Sequence, residues 1–425
     1  MIRIDDIKKF NFESVPIDQF WNTGKERELK IHRIHSYPAK FPAFIATKAL
    51  EYATEQNITI NSIADIFCGC GTTAFEARRN NISFWGCDIN PVATLIARTK
   101  SRKYQIKRLE KYYTAIIEKF KAKPIPDLYS SGSERLRYWF KREQYNNLLQ
   151  LKTTILEKTT VGSDYQLFFL CAFSNILKAT SVWLTKSIKP QVDPDKKCAD
   201  VLDSFKTQCR LMISANSEID KFGDAISEII TENFLGGKTT RPKVDMIITS
   251  PPYVTSYEYA DLHQLSSMWL DFADDYRELR EGSIGSLHHD YNFSREWKRL
   301  NNTGNGIVSL LLYKHKSKAR SVAKYFLDMQ AVTKKAYEMI NNKGLALFVI
   351  GNTEYKGVRI DNAKHLAESL MDAGFSTVNA TKRKISRKIL TPYRDLRGKF
   401  STDATGRKVY NEEFIIIGRK LHGKN

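Results

Sequence analysis

Two short stretches carry side chains whose types and spacing could do chemistry. In the first, the apolar run Asp245-Met246-Ile247-Ile248-Thr249 leads straight into Ser250-Pro251-Pro252-Tyr253. A residue before proline is pushed out of the helical region and each proline fixes its own φ, so the segment is stiff. The two prolines offer no N–H, which leaves the backbone there with acceptors only. Ser250 Oγ and the Pro251 carbonyl could hold both hydrogens of an exocyclic amine and turn its lone pair toward an electrophile. Tyr253 could stack on a nucleobase flipped out of a duplex. Such a site accelerates by positioning and needs neither a metal nor a covalent intermediate. A proline-rich loop with a surface tyrosine is the plain alternative, and the buried strand leading into the motif weighs against it.

The second stretch is Asp65-Ile66-Phe67-Cys68-Gly69-Cys70-Gly71-Thr72-Thr73. It reads as the carboxyl end of a strand, a tight loop and the start of a helix, where open parallel sheets bind ligands. Gly69 and Gly71 let the backbone approach a ligand closely. Asp65 could hold an ammonium, and Asp88, at the end of the next strand, could accept both hydroxyls of a ribose. The loop lacks the third glycine of a GxGxxG fingerprint, which argues against a nicotinamide or flavin dinucleotide. The plain alternative is a tight turn with Asp88 capping a helix.

Elements must position these groups. Ser62 to Phe67 reads as a buried strand, Thr72 to Asn80 as a helix and Ile82 to Cys87 as a second strand. Asn90 caps a third helix with Pro91 at its first position. This is the βαβ opening of a parallel sheet. Residues 101–205 are basic and helical in pattern, without strand alternation. Strands return at Val244 to Thr249, Leu345 to Ile350 and Phe414 to Ile417. Helices are expected after Tyr259, from Ala319 to Asn341 and from Asp361 to Ala373, with a long surface loop from Glu281 to about Gly306. The expected fold is α/β, a doubly wound and mostly parallel sheet with a helical insertion. Its expected parts are 1–100 for the cofactor half, 101–205 for the insertion and 206–425 for the catalytic half.

Composition narrows the class. The 425 residues hold 67 Lys and Arg against 47 Asp and Glu, a formal charge of +20. That excess favours a polyanionic partner, since each neutralised phosphate releases a counterion. No apolar run approaches the roughly 18 to 20 residues that span a bilayer, and Met1 to Phe10 lacks the apolar core of a signal peptide. The six cysteines form no paired CxxC units, so a reduced, cytoplasmic protein without a metal is expected. His288-His289-Asp290 and the Cys68/Cys70 pair are read as a solvated loop and as space-fillers, not as a metal or redox site.

With these residues in view, the chain resembles the amino-methylating DNA methyltransferases of bacterial restriction–modification systems. Thr249 to Tyr253 looks like their catalytic motif in its cytosine-N4 form, and Asp65 to Thr73 like their FxGxG cofactor motif. The resemblance implies S-adenosyl-L-methionine as cofactor, held by Asp65, Phe67, Cys68, Gly69, Gly71, Thr72 and Thr73. It implies Asp88, with Ile89 beside it, at the ribose and Asp224 at the adenine. His35 to Pro42 resembles the segment around the methionine end, which assigns Tyr37, Pro38, Lys40 and Phe41. Double-stranded DNA is the implied partner, together with a cognate restriction endonuclease; the oligomeric state is not implied. Adenine-N6 transfer, guanine-N2 transfer on structured RNA and a non-catalytic DNA-binding subunit stay open as alternatives.

Three basic segments could meet the duplex. One holds Arg135, Arg137, Tyr138, Trp139, Lys141 and Arg142; another ends in Lys314, His315, Lys316, Lys318 and Arg320. The preferred one is 381–408, with Lys382, Arg383, Lys384, Arg387, Lys388, Arg394 and Arg397 as phosphate contacts. Charge runs are usually solvated faces, so each reading has that plain alternative.

Overall fold

The computed structural model describes residues 1–23, 28–38, 40–219, 222–237, 239–254, 259–286, 291–385, 393–394, 400–401, 407–408 and 412–421. In chain order the strands are β1 (Ile2–Arg3), β2 (Ser62–Asp65), β3 (Ser83–Asp88), β4 (Ser227–Thr231), β5 (Val244–Thr249), β6 (Ile340–Ile350), β7 (Thr353–Tyr355), β8 (Val358–Ile360), β9 (Thr377–Lys384), β10 (Tyr393–Arg394), β11 (Phe400–Ser401), β12 (Arg407–Lys408) and β13 (Glu412–Arg419). Eight of them form one sheet in the order β1-β9-β13-β6-β5-β2-β3-β4. From β4 through β6 the neighbours are parallel, and β13 runs antiparallel between β6 and β9. β7 and β8 make a separate hairpin, and β10 to β12 a small sheet of their own.

The helices are α1 (Ala43–Glu55), α2 (Thr72–Arg79), α3 (Pro91–Lys100), α4 (Ile106–Ala122), α5 (Glu134–Trp139), α6 (Arg142–Lys158), α7 (Asp164–Thr180), α8 (Val201–Ser217), α9 (Tyr259–Leu262), α10 (Gln264–Trp269), α11 (Phe293–Glu296), α12 (Asn302–Lys314), α13 (Lys316–Met339) and α14 (Asn362–Ala373). Ile63, Met246, Ile248, Leu345 and Leu347 share a core with Ile45, Ala49 and Ala74 of α1 and α2. Their alternates Ala64, Ile247, Ala346 and Phe348 share another with Phe326, Met329 and Leu366 of α13 and α14. A strand covered on both faces must be apolar at every position, which is why these strands read as unbroken apolar runs. The fold is Rossmann-like, a doubly wound α/β sheet with a helical insertion.

The insertion is α4 to α8, and it runs on to Ser217, past the expected end at 205. Asp200 caps α8 by accepting from Asp203 N. A third core joins the insertion to the sheet layer: Leu148, Phe168, Phe173 and Phe205 pack with Ile31, Phe75, Ile96 and Trp269. The expected loop at 281–306 is a more structured region. α11 and the first turn of α12 fall within it, with Asn301 Oδ1 accepting from Gly304 N to start α12. Gly304, Gly306 and the clustered asparagines mask that helix in the sequence, because each is a poor helix former. Among the described residues, no helix is long and apolar enough to cross a membrane.

Candidate active site

Successive connections leave β2 in opposite directions, to β3 and β4 on one side and to β5 and β6 on the other. The carboxyl ends of β2 and β5 therefore flank the crevice where doubly wound sheets take ligands. Asp65 and Ser250 stand at those ends, on one cavity of about 330 Å³. Beyond Asp65 the chain turns through Gly69 (φ +46) and Gly71 (φ +74). Gly71 starts α2, and a Cβ there would lie 2.6 Å from the Ala97 backbone, so its role is close packing of the loop on α3. Asp88 ties the loop from below: Oδ2 accepts from Gly69 N at 2.9 Å and Oδ1 from Asn90 N at 2.9 Å. Asp65 Oδ1 accepts from Thr249 Oγ1 at 2.7 Å and from Phe67 N at 3.2 Å. Burial pushes both carboxyls up, each to about 6, against the pull of these donors.

The N-terminal segment closes one wall. The Tyr37 ring lines the cavity and stacks on His263 at 5.0 Å and 19°. Phe41, Phe67, Cys68, Gly69, Thr72 and Ile89 line the cavity as well. Pro38, Lys40, Gly71 and Thr73 do not. Lys40 Nζ instead donates to Glu28 Oε2 at 2.7 Å and to the His32 carbonyl at 3.0 Å, which anchors its own segment. Thr73, 1% exposed, is buried behind the loop.

The motif after β5 faces the same space. Ser250, Pro252 and Tyr253 line the cavity, whereas Pro251 is buried beside it. The Ser250 hydroxyl donates to the Val349 carbonyl at 3.1 Å, so its lone pairs are the part left for a ligand. Tyr253 packs on Gly351, where a Cβ would come within 2.9 Å of its ring. Its hydroxyl donates to Glu413 Oε1 at 3.0 Å. Burial, with the Glu413 charge alongside, raises this phenol well above its ordinary range and keeps it a donor.

A DNA methylase family model matches residues 5–99. Type II methyltransferase M.MvaI of Kocuria varians is 22% identical over 400 residues, 87% of each chain. Type II methyltransferase M.MjaII of Methanocaldococcus jannaschii is 35% identical over 98 residues, 23% of this chain and 18% of that one. Over residues 5–99 the chain is thus similar to the N6/N4 DNA methylases, and these matches support a DNA methyltransferase of that type. A solved S-adenosylmethionine-dependent methyltransferase from Clostridium acetobutylicum superposes with a TM-score of 0.28 at 7% identity, covering 88% of this chain and 90% of that one. That likeness is too slight to add to the strand order. The family match supports S-adenosyl-L-methionine as the cofactor, and the cavity suits it chemically. The buried Asp65 and the half-buried Asp88 face one space where ionisation is opposed until a cation or hydroxyl donors arrive, and Phe67, Ile89 and Phe234 supply apolar wall.

Two groups of expected residues fall elsewhere in the chain. Asp224 precedes β4 at the amino end of the sheet, beside the far end of α2: Gly223 N donates to the Arg78 carbonyl and Ala225 N to Asn81 Oδ1. In a parallel sheet that edge is remote from the ligand crevice. The groups that β4 brings to the cavity are Glu232, Asn233 and Phe234, just past its carboxyl end. Their polar pair directly after an apolar strand was the available signal.

The basic segment is corrected too. Arg383 is 3% exposed and its guanidinium pairs with Glu413 Oε2. Lys382 is 9% exposed, donates to the Glu13 carbonyl at 2.9 Å and pairs with Glu412 at 3.3 Å. Both side chains knit β9 to β13 and the N-terminal segment, and neither is free for phosphate. Lys384 is exposed. Arg387, Lys388 and Arg397 lie outside the described residues, and of Arg394 only the backbone, in β10, is described. Among the insertion's cations, Arg135 bonds Gln264 Oε1 at 2.6 Å and Arg142 bonds Asp127 at 2.6 Å. The loop residues Gly282 to Ser286, expected at the surface, lie on the cavity wall, where Gly285 N donates to Asp328 Oδ2 at 2.8 Å.

Proposed function

We propose that the methylase transfers a methyl group to N4 of cytosine in duplex DNA, as the cytoplasmic modification partner of a restriction endonuclease. The observation that carries this reading is the Ser250 hydroxyl, whose hydrogen is committed to Val349 while its oxygen faces the cavity shared with Asp65 and Asp88. A cytosine amine is a weak nucleophile because its lone pair is delocalised into the ring. Ser250 Oγ and the Pro251 carbonyl accept its two hydrogens and turn the lone pair out of conjugation, while Tyr253 stacks on the flipped base. Asp65 holds the cofactor's ammonium, Asp88 its ribose hydroxyls, and Tyr37 and Phe41 its methionine end. When bound, the cofactor supplies an electrophilic methyl on a sulfonium. Acceleration then comes from alignment, and the amine proton released after transfer passes to solvent.

The test is transfer of labelled methyl from S-adenosyl-L-methionine to mixed-sequence duplex, followed by nucleoside analysis. N4-methylcytosine supports the reading. N6-methyladenine as the sole product would keep the family and overturn the base.

A further inference from the structure

The described structure leaves one concentrated set of cations beside the cavity mouth. α12 ends at Lys314 and α13 starts at Lys316, with His315 between them capping α13 through Lys318 N at 3.2 Å. Lys318, Ser321 and Tyr325, on the first turns of α13, line the same cavity as Ser250 and Tyr253. The hairpin β7–β8 springs from the end of β6, two residues beyond Gly351, on which Tyr253 packs. Tyr355 locks hairpin to elbow: His315 meets its ring edge-on at 5.3 Å, and Lys318 Nζ lies 5.3 Å from its centroid.

The hairpin tip breaks a local rule. Tyr355 pairs with Val358, which leaves Lys356 and Gly357 as a two-residue turn with φ +47 and +75. That is a type I′ turn, whose first position wants Asn, Asp or Gly. A lysine there is strained, and it carries an exposed charge to the tip. Lys314, Lys316 and Arg320 are exposed as well. Among the described residues none of these four cations is paired with a carboxylate, unlike Lys382, Arg383 and Arg142. Tyr313, 94% exposed, stands on the same elbow.

We propose that the α12–α13 elbow and the β7–β8 hairpin form the grip on duplex DNA, with Lys314, Lys316, Arg320 and Lys356 on phosphates flanking the flipped base. This rests on the reading of the site as a DNA methylase. Phosphate contacts set register and orientation on a duplex. A grip built on α13, which also walls the cavity, and on the hairpin beside Gly351, on which Tyr253 packs, delivers the flipped nucleotide to Ser250 in a fixed pose.

The experiment compares wild type, a K314Q/K316Q/R320Q/K356N variant and a control with K103Q/K107Q/K111Q/K121Q on the exposed face around α4. Duplex binding is measured by fluorescence anisotropy over a salt series, beside cofactor binding and methyl transfer. Each phosphate contact contributes about 0.9 to the slope of log K against log salt, so the elbow variant should lose about 3 to 4 from that slope. Its affinity should fall at least about 100-fold at moderate salt, with cofactor affinity unchanged. Lys356→Asn alone should raise the melting temperature while weakening DNA binding, a split that a structural lysine would not give. An elbow variant with the wild-type slope, or a control that loses as much, overturns the surface alone if wild type still methylates DNA. A wild type that neither binds nor methylates duplex overturns the functional reading and the grip with it.

Discussion

Asp65 and Asp88 show how much chemistry burial can set at single residues. Each carboxyl sits near 6 because burial penalises its charge more than the neighbouring donors repay it. Both folded values lie above those of an unfolded chain, so the cofactor-free protein should gain stability as pH falls through about 6 toward about 4. Cofactor binding should go the other way. A neutral acid cannot pair with an ammonium, so affinity should hold above about pH 7 and weaken below pH 6, by about tenfold per unit for each carboxyl the cofactor needs ionised. Titration calorimetry across that range checks this, and a flat profile would contradict the assigned roles. Tyr253 is the second residue-scale case. Tyr253→Ala removes the stacking face and should lower kcat at least about 100-fold with little change in cofactor affinity. Tyr253→Phe keeps the ring and should stay within about tenfold of wild type. An alanine variant as active as wild type would remove Tyr253 from the mechanism.

At the scale of elements, β9 and β13 explain why a cation-rich segment can be structural. Their antiparallel register sets Arg383 opposite Glu413, and the same carboxylate takes the Tyr253 hydroxyl. Arg383→Ala strands Glu413 in a half-buried place without its cation. It should cost about 3 to 5 kcal/mol in chemical denaturation and lower kcat through the loosened Tyr253. The salt slope of DNA binding should not change, because the guanidinium never reaches solvent. A fallen slope with normal stability would restore Arg383 to the DNA surface. The elbow after α12 presents the converse case. Its lysines have no partner strand to take them up, so they stay outside.

For the whole molecule, the insertion bears on how the chain unfolds. α7 reaches both the N-terminal segment and α10: His35 Nε2 lies 2.9 Å from Ser174 Oγ, which donates to Ser266 Oγ at 2.8 Å. Gln208 of α8 donates to the Ile34 carbonyl at 2.6 Å. The insertion therefore braces Tyr37 and the helices that follow Tyr253, and its core continues into α3. Calorimetry should show one cooperative transition in which insertion and sheet melt together. Two resolved transitions, with cofactor shifting only one, would mark the insertion as an independent unit.

The sequence by itself determined the sheet class and where along it the Gly69–Gly71 loop and the Ser250–Tyr253 segment fall. These are local features: a strand covered on both faces is apolar throughout, a tight turn needs glycine, and consecutive prolines stiffen whatever they follow. It placed Asp65, Asp88, Ser250 and Tyr253 on recognisable strand ends before any packing was known. Which cations are free was decided only by the tertiary structure, because Arg383 and Lys356 look alike in a string and differ only in what lies across from them. The same holds for Asp224 against Glu232 and Asn233. Which end of a parallel strand opens on the ligand depends on where the strand begins and on its neighbours in the sheet. Glycines and asparagines likewise hid α12 until its packing against α13 made the helix the lower-energy state.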